Sequence, residues 1–100
     1  MRLKKTEITA ITDITKSVFG NNSTVRLFGS RTNDSLKGGD IDLLIQCNRI
    51  ISPSEQYKLK INFLVQLKKI LGDQRIDVLI EAKQQDSPFI QTIKHDGIIL

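Results

Sequence analysis

The sequence predicts a small α/β (α+β) domain, and three observations lead to this fold class. Two long segments carry apolar residues at helical spacing, and three short β-branched and apolar runs alternate with them as predicted strands. Glycines follow the helical segments, where they favour the end of a helix. With 100 residues the chain has the size of one domain, so we take residues 1–100 as a single domain.

The first helix and the first strand are predicted within residues 4–28. The helix spans residues 4–19, and its regularly spaced apolar residues are Ile8, Ile11, Ile14 and Val18. Gly20 and two asparagines then end the helix. Residues 24–28 (TVRLF) are β-branched and apolar over a short length, which is typical of a strand.

The second strand and the second helix are predicted within residues 40–71. Residues 40–46 (DIDLLIQ) are mostly apolar, which indicates a central strand. Ser52 is the expected N-cap of the following helix, with Pro53 in the first turn and Glu55 completing a capping box. The helix is predicted to run to residue 71, and its expected inward side chains are Tyr57, Ile61, Leu64, Leu67 and Leu71.

A third strand and a short last helix complete the prediction. Residues 75–80 (RIDVLI) form another apolar run with strand composition. Ser87 and Pro88 repeat the pattern of a cap followed by proline, and the short helix that they open carries Phe89, Ile90 and Ile93. The predicted architecture is therefore a three-stranded mixed sheet with the helices packed on one face.

Composition excludes several classes of protein. Apolar residues make up 39% and charged residues 26% of the chain, which is ordinary for a globular domain and argues against disorder. The net charge is only +4 and basic residues do not interleave with aromatics, so a nucleic-acid partner is not expected. No apolar run approaches the roughly 18 residues of a bilayer span and no signal-peptide pattern is present, which predicts a cytoplasmic protein.

Two single residues narrow the chemistry further. Cys47 is the only cysteine, which excludes an intrachain disulfide and a paired-cysteine metal site. We expect it to be a semi-buried residue at a strand end. His95 is the only histidine, so a histidine-rich metal site is excluded, and we expect a structural or incidental role.

The stretch most informative about function spans residues 28–45 (FGSRTNDSLKGGDIDLLI). Gly29 and Ser30 follow the first strand, and Asp40 and Asp42 open the second strand after nine intervening residues. Strand residues two apart share a face, so the two carboxylates are expected to point the same way, about 7 Å apart along the strand. They repel each other and lose hydration, and Mg²⁺ is well suited to neutralise them.

Asp77 is a third candidate metal ligand and catalytic residue. It lies in the apolar run of residues 75–80 and can join Asp40 and Asp42 if the third strand lies beside the second. Three acids, two metal ions and a phosphate are a common arrangement for in-line displacement at phosphorus. Ordinary alternatives stay open, because an Asp-x-Asp pair can be a solvated cap and Asp77 can be an edge-strand acid that faces water.

Gly29 and Ser30 are also candidates for phosphate binding. Glycine lets the backbone approach a phosphate closely, and a helical turn starting at Ser30 or Arg31 would direct free N–H groups toward it. The Ser30 hydroxyl adds a donor, and Arg31 and Lys37 are nearby cations that could hold a triphosphate. A glycine–serine pair is equally common in turns that bind nothing.

The sequence resembles the nucleotidyltransferase superfamily that includes DNA polymerase beta. The features that carry the resemblance are the GS pair, the DID triplet with three apolar residues after it, the following helix, and the strand with one aspartate. The resemblance covers nearly the whole chain and is greatest to the minimal nucleotidyltransferase (MNT) domains. It implies the polymerase beta-type fold, ATP as substrate, Ser30 at the triphosphate, Asp40 and Asp42 on two Mg²⁺ ions, and Asp77 completing the site. The chain departs from the frequent GSRARG pattern by reading GSRTND, and Gly39 stands where a serine often precedes the first aspartate.

The resemblance also implies a partner and a role. Minimal members are commonly encoded beside HEPN-domain proteins, and such a pair behaves as a toxin–antitoxin system. The implied function is Mg²⁺-dependent transfer of AMP from ATP to a hydroxyl of a HEPN-type RNase toxin. Two alternatives stay open: a non-catalytic binding module that neutralises its partner by occlusion, and a homo-oligomeric nucleotidyltransferase that acts on RNA or a small molecule.

Overall fold

The computed structural model describes residues 3–32, 39–83 and 87–100, apart from the side chain of Ser30. In these ranges the helices are α1 (Lys5–Phe19), α2 (Pro53–Leu71) and α3 (Pro88–Asp96). The strands are β1 (Thr24–Phe28), β2 (Ile41–Gln46), β3 (Ile76–Glu81) and β4 (Ile98–Ile99), and a turn of 3-10 helix covers Gly29–Thr32. The predicted helices and strands are thus confirmed, and their predicted ends differ by at most one residue from those observed.

The strands form one mixed sheet in the order β3-β2-β1-β4. β2 pairs in parallel with β3 and antiparallel with β1, which confirms its predicted central place. The fourth strand, β4, was not expected from the sequence: its two residues pair with Arg26 and Leu27 of β1. Two residues are too short a run to show the alternation by which a strand is recognised.

The sheet buries apolar residues on both of its faces. Ile41, Leu43 and Ile45 point into the main core, which also contains buried residues of α1 and α2. Leu44 points to the opposite face and packs with Ile90 of α3. α3 therefore lies on the other face of the sheet, which differs from the predicted packing of all helices on one face. The physical reason is Leu44 itself, since a fully buried leucine on the second face requires a cover.

The buried side of α2 matches only part of the side that the sequence suggested, and of the predicted inward residues Leu67 is confirmed as fully buried. Phe63 and Leu67 are fully buried, and the Phe63 ring packs against Phe19 of α1 at a centroid distance of 5.7 Å. The prediction that Tyr57 faces the core was wrong, since it is 66% exposed, and Ile61 is exposed too. Leu64 and Leu71, also expected to point inward, are partly buried at the edge of the core.

The start of α2 confirms the predicted cap only in part. The Ser52 hydroxyl accepts a hydrogen bond from the backbone N–H of Glu55 at 3.2 Å, and Pro53 is the first helical residue. The Glu55 carboxylate pairs instead with Arg49 at 3.2 Å. The serine half of the capping box is therefore present, while an arginine from the preceding loop holds the glutamate.

Cys47 and His95, the single cysteine and the single histidine of the sequence, lie in different surroundings. Cys47 follows β2 as a buried free thiol, and its burial raises the pKa of the thiol. His95 is exposed near the end of α3 and contacts Asp96 through Nδ1 at 2.9 Å. None of the helices in the described ranges combines the length and apolarity that a bilayer span requires.

A pair of truncations on α2 tests this burial pattern. Leu67 is fully buried and Val65 is 51% exposed. We expect Leu67→Ala to lower the free energy of unfolding by about 2–5 kcal/mol, because it leaves a cavity in the core. Val65→Ala is the matched control and should change it by less than about 0.5 kcal/mol. Urea denaturation measures both, and equal losses would contradict the orientation of α2.

Candidate active site

The site is built where β1 ends against the start of β2. Phe28, the last residue of β1, pairs with Asp42 in the antiparallel register. Gly29 follows with a φ of +77° and passes directly beside the Asp42 carboxylate. A Cβ at Gly29 would overlap Asp42 Oδ2 and would lie 3.2 Å from its Cγ. Gly29 is therefore required by the aspartate next to it as well as by its own backbone angle.

A tight turn carries the chain away from Gly29. Residues Gly29–Thr32 form one turn of 3-10 helix, in which the Thr32 hydroxyl donates to the Gly29 carbonyl at 2.7 Å. The helical turn expected at Ser30 is thus present and begins one residue earlier. Ser30 follows Gly29, the residue that lies beside Asp42, and the predicted contact of its hydroxyl with a phosphate lies outside the described residues.

The parallel pairing of β2 with β3 brings two of the three candidate acids face to face. Asp42 lies opposite Asp77 in the register, and the charge of Asp77 raises the pKa of Asp42. Asp42 is half-buried and Asp77 is exposed. Asp40 precedes β2, and its half-exposed carboxylate lies 3.8 Å from the Arg75 Nε. The adjacency of strands on which the Asp77 prediction depended is therefore observed.

The electrostatics of Asp42 record this crowding of negative charge. Burial raises the pKa of Asp42, and the charges of Asp77 and Asp40 and the hydrogen bond with Asp77 raise it further. All four influences favour the protonated form over the carboxylate. A cation placed beside Asp42 would act in the opposite direction and lower its pKa.

Arg75 is a nearby cation that the sequence reasoning missed. It precedes β3 as Asp40 precedes β2, and the parallel register aligns the two positions. The sequence does contain a signal: if DID (residues 40–42) is aligned with RID (residues 75–77) as parallel strands, Arg75 falls beside Asp40. Its side chain is 82% exposed and its contact with Asp40 is long, so it screens the acidic site only weakly.

The donor set fits a hard divalent cation. Carboxylate oxygens are the ligands that Mg²⁺ prefers, and Asp42 with Asp77 offers them on adjacent strands. Asp40, two residues before Asp42, is a candidate third ligand. Among the residues described, no three acidic, histidine or cysteine side chains are yet gathered closely enough to surround one ion. The metal ligation by Asp40, Asp42 and Asp77 stays a prediction.

Of the two cations predicted to hold a triphosphate, Arg31 is described by the structure and Lys37 is not. Arg31 donates from Nε to the Gly39 carbonyl at 3.3 Å and from Nη2 to the Gln74 side chain at 3.2 Å. It therefore crosses the base of the loop between the turn and β2, in contact with protein groups. Lys37 lies outside the described residues, so its predicted role is not addressed by the structure.

A cavity elsewhere in the molecule does not coincide with the acidic site. It has a volume of about 550 Å³ and lies at the far end of β2, beside Gln46, Glu81 and Lys94. The Glu81 carboxylate there already pairs with Lys94 at 2.9 Å and accepts from Gln46 at 3.0 Å. These three polar groups pair with one another, whereas the carboxylates around Asp42 repel.

Two glycine substitutions separate backbone strain from the contact with Asp42. Gly29 and Gly72 have nearly the same φ, +77° and +80°, but a Cβ at Gly72 meets no atom within 4 Å. Gly72 has a ψ of −158°, a backbone region that is essentially restricted to glycine, so Gly72→Ala should cost only the roughly 1–3 kcal/mol of that conformation. We expect Gly29→Ala to cost about 1–3 kcal/mol more, as overpacking does. Denaturation curves measure the difference, and equal costs would show that Asp42 moves away freely.

The raised pKa of Asp42 predicts a pH-dependent stability. The folded state binds the Asp42 proton more tightly than the unfolded state, so the free energy of unfolding falls as pH rises from the unfolded pKa of aspartate through the raised folded pKa. Asp42→Asn should be more stable than the wild type at pH 7, by up to about 1 kcal/mol. This advantage should vanish at acidic pH.

Melting temperatures across the pH range check this prediction. Asp13→Asn on the exposed surface of α1 is the control for loss of one negative charge. If the Asp42→Asn variant were less stable than the wild type at neutral pH, the crowding of charge would not be the dominant effect at this position.

Comparison with known proteins identifies a family for this sequence. A sequence model of the family described as polymerase beta nucleotidyltransferase matches residues 10–100. No match was found among curated proteins. The matched range includes Gly29, the acidic residues of β2 and β3, and all four strands. Because the match extends over most of the sequence, the chain belongs to the polymerase beta nucleotidyltransferase family.

Proposed function

We propose that the protein is a Mg²⁺-dependent nucleotidyltransferase that transfers AMP from ATP to a hydroxyl of a HEPN-type toxin protein and so acts as an antitoxin. Membership of the family supports a nucleotidyltransferase-type function in general. The observation that carries the proposal is the apposition of Asp42 and Asp77 on adjacent parallel strands, with Gly29 packed against the first of them. The choice of ATP, of Mg²⁺ and of the toxin comes from the resemblance to minimal members.

The proposed reaction is an in-line displacement at the α-phosphorus. The acceptor oxygen forms a bond to that phosphorus, the bond to the bridging oxygen of the β-phosphate breaks, and pyrophosphate leaves with the electron pair. The acceptor hydroxyl loses its proton to a carboxylate. Asp77 is suited to take it, because it is exposed to an acceptor from another molecule and lies beside Asp42.

The remaining residues bind and orient. Asp40 and Asp42 would hold Mg²⁺, with Asp77 as the further ligand, and the cation would neutralise phosphate charge when bound. The Gly29-Ser30 backbone would lie along the β- and γ-phosphates, next to the acids that its turn adjoins. Arg31 and Lys37 are the proposed cations for the triphosphate, and Arg31 must then exchange a protein contact for the phosphate.

A binding module that occludes its partner is the second candidate. The observation that favours it is an apolar strip on the outer side of α2, formed by Tyr57, Ile61 and Val65, which are 44–66% exposed. Such a strip suits contact with another protein. This candidate predicts that Asp40→Asn still binds the partner with unchanged affinity in a titration, whereas loss of binding by the folded variant would contradict it.

Transfer of a labelled nucleotide tests the leading proposal. The wild type and the Asp40→Asn/Asp42→Asn variant would be added to host lysate with Mg²⁺ and one α-labelled nucleotide at a time, and proteins and RNA would then be separated on gels. We expect a labelled protein band with ATP that falls by about 100-fold or more in the variant, because the acids are required for displacement. Asp13→Asn/Asp96→Asn, which removes the same charge elsewhere, is the control.

The pattern of label decides between the candidates. A labelled RNA in place of a protein would contradict the proposed acceptor. Absence of any labelled product, with a folded wild type that co-purifies with another protein, would favour the binding module instead.

A further inference from the structure

A chain of hydrogen bonds connects the beginning of α1 with the peptide that precedes Asp40. The Arg31 Nε donates to the Gly39 carbonyl at 3.3 Å, and its Nη2 donates to the Gln74 Oε1 at 3.2 Å. The Gln74 Nε2 donates in turn to the Glu7 Oε2 at 3.0 Å. Residues from four separate parts of the sequence are thus joined into one path.

The outer end of this path is held by helix backbone. Glu7 accepts a further hydrogen bond from the Lys4 N–H at 2.9 Å, and Gln74 donates to the Leu71 carbonyl at 3.1 Å. Burial would raise the pKa of Glu7, yet the bonds from Lys4 and Gln74 and the charge of Arg31 outweigh it and lower this pKa. Glu7 is therefore a stable carboxylate acceptor, fixed at the first turn of α1.

The inner end of the path lies at the peptide between Gly39 and Asp40. Gly39 has a φ of +92°, and Asp40 after it precedes the first residue of β2. On the other side of Asp40, the Ile41 N–H donates to the Arg75 carbonyl at 2.9 Å. Asp40 is thus held between two backbone anchors, one supplied by the residue before β3 and one by Arg31, and the contact described for its own side chain is the long one with Arg75.

We propose that Glu7, Gln74 and Arg31 are positioning residues that fix the Gly39–Asp40 peptide and so set the place of the Asp40 carboxylate relative to Asp42. This proposal rests on the proposed function, because it takes Asp40 to be a metal ligand. It assigns Arg31 a role at the base of the acidic site before a triphosphate is bound, when its contacts with Gly39 and Gln74 are both in place. It also connects α1 and α2 to the site, although neither helix carries an acidic ligand.

An exchange of side chains between positions 7 and 74 tests the path directly. Gln74→Glu places a second carboxylate against Glu7 and removes the amide donor that joins them. The double variant Glu7→Gln/Gln74→Glu reverses the direction of that bond, since an amide at 7 can donate to a carboxylate at 74 that still accepts from Arg31. Gln66→Glu is the control, because Gln66 lies on α2 and makes only an exposed bond to Asn62 in the described structure.

Amide hydrogen exchange of the metal-free protein is the first measurement. The Ile41 N–H lies one residue beyond the peptide whose carbonyl Arg31 binds, and it is protected by its bond to the Arg75 carbonyl at 2.9 Å. We expect its exchange to accelerate about tenfold in Gln74→Glu, to return to the wild-type rate in the double variant, and to stay unchanged in the control. Exchange at Ile41 that is the same in all four proteins would overturn the inference, whatever the metal affinity.

Mn²⁺ binding, followed by the electron paramagnetic resonance of the free ion, tests the consequence for the acidic site. We expect Gln74→Glu to weaken Mn²⁺ binding by about 10-fold, within the range for lost supports of metal ligands, and the double variant to restore it. Faster exchange at Ile41 with unaltered Mn²⁺ affinity would overturn the role in ligand placement. A wild type that binds no Mn²⁺ would contradict the proposed metal-dependent function, while the exchange rates would still decide whether these residues fix the peptide.

Discussion

The parallel pairing of β2 with β3 is the constraint on which the candidate site depends. This register places Asp42 opposite Asp77 and aligns the positions of Asp40 and Arg75. Because side chains alternate along a strand, a slip of one residue would turn Asp77 to the opposite face and replace it with an apolar neighbour. The register is protected by burial, since Ile41, on the face opposite Asp42, is fully enclosed in the main core.

β2 is apolar along one face and carries Leu44 between Asp42 and Gln46 on the other, and this explains where the acids lie. Leu43 and Leu44 are both fully buried, one under α1 and α2 and the other under α3. Asp42 lies at the beginning of the strand, ahead of the point at which α3 covers Leu44 on the second face. The edge of the sheet at which β1 ends and β2 and β3 begin is therefore the place where carboxylates and a close turn can meet.

Much of this arrangement could be predicted from the sequence because it depends on local patterns. The apolar runs located β1, β2 and β3, and the serine–proline pair located the start of α2. The meeting of Asp42 with Asp77 followed from one further assumption, that the second and third strands are neighbours. The bonds from Arg31 through Gln74 to Glu7 could not be predicted, because they join polar side chains that are up to 67 residues apart and carry no shared pattern.

The orientation of α2 and the place of α3 could not be predicted from local sequence patterns, for a different reason. Apolar residues surround much of α2, so spacing alone does not choose between a face with Phe63 and a face with Tyr57. The choice is made by tertiary contact, in which the Phe63 ring meets Phe19 of α1. Likewise, the burial of Leu44 on the second face depends on a helix that lies more than 40 residues later in the chain.

The closeness of Gly29 to Asp42 has a consequence for how such a protein can evolve. The overlap that excludes a side chain at Gly29 involves chiefly the carboxylate of Asp42, since the Asp42 Cβ itself would lie at an ordinary 3.5 Å. A lineage that exchanged Asp42 for alanine would thus be released from most of the restriction at position 29, apart from the cost of its backbone angle. Once another residue had settled there, a return of aspartate at 42 would meet a Cβ in its path. Loss of the carboxylate would then be difficult to reverse by a single substitution.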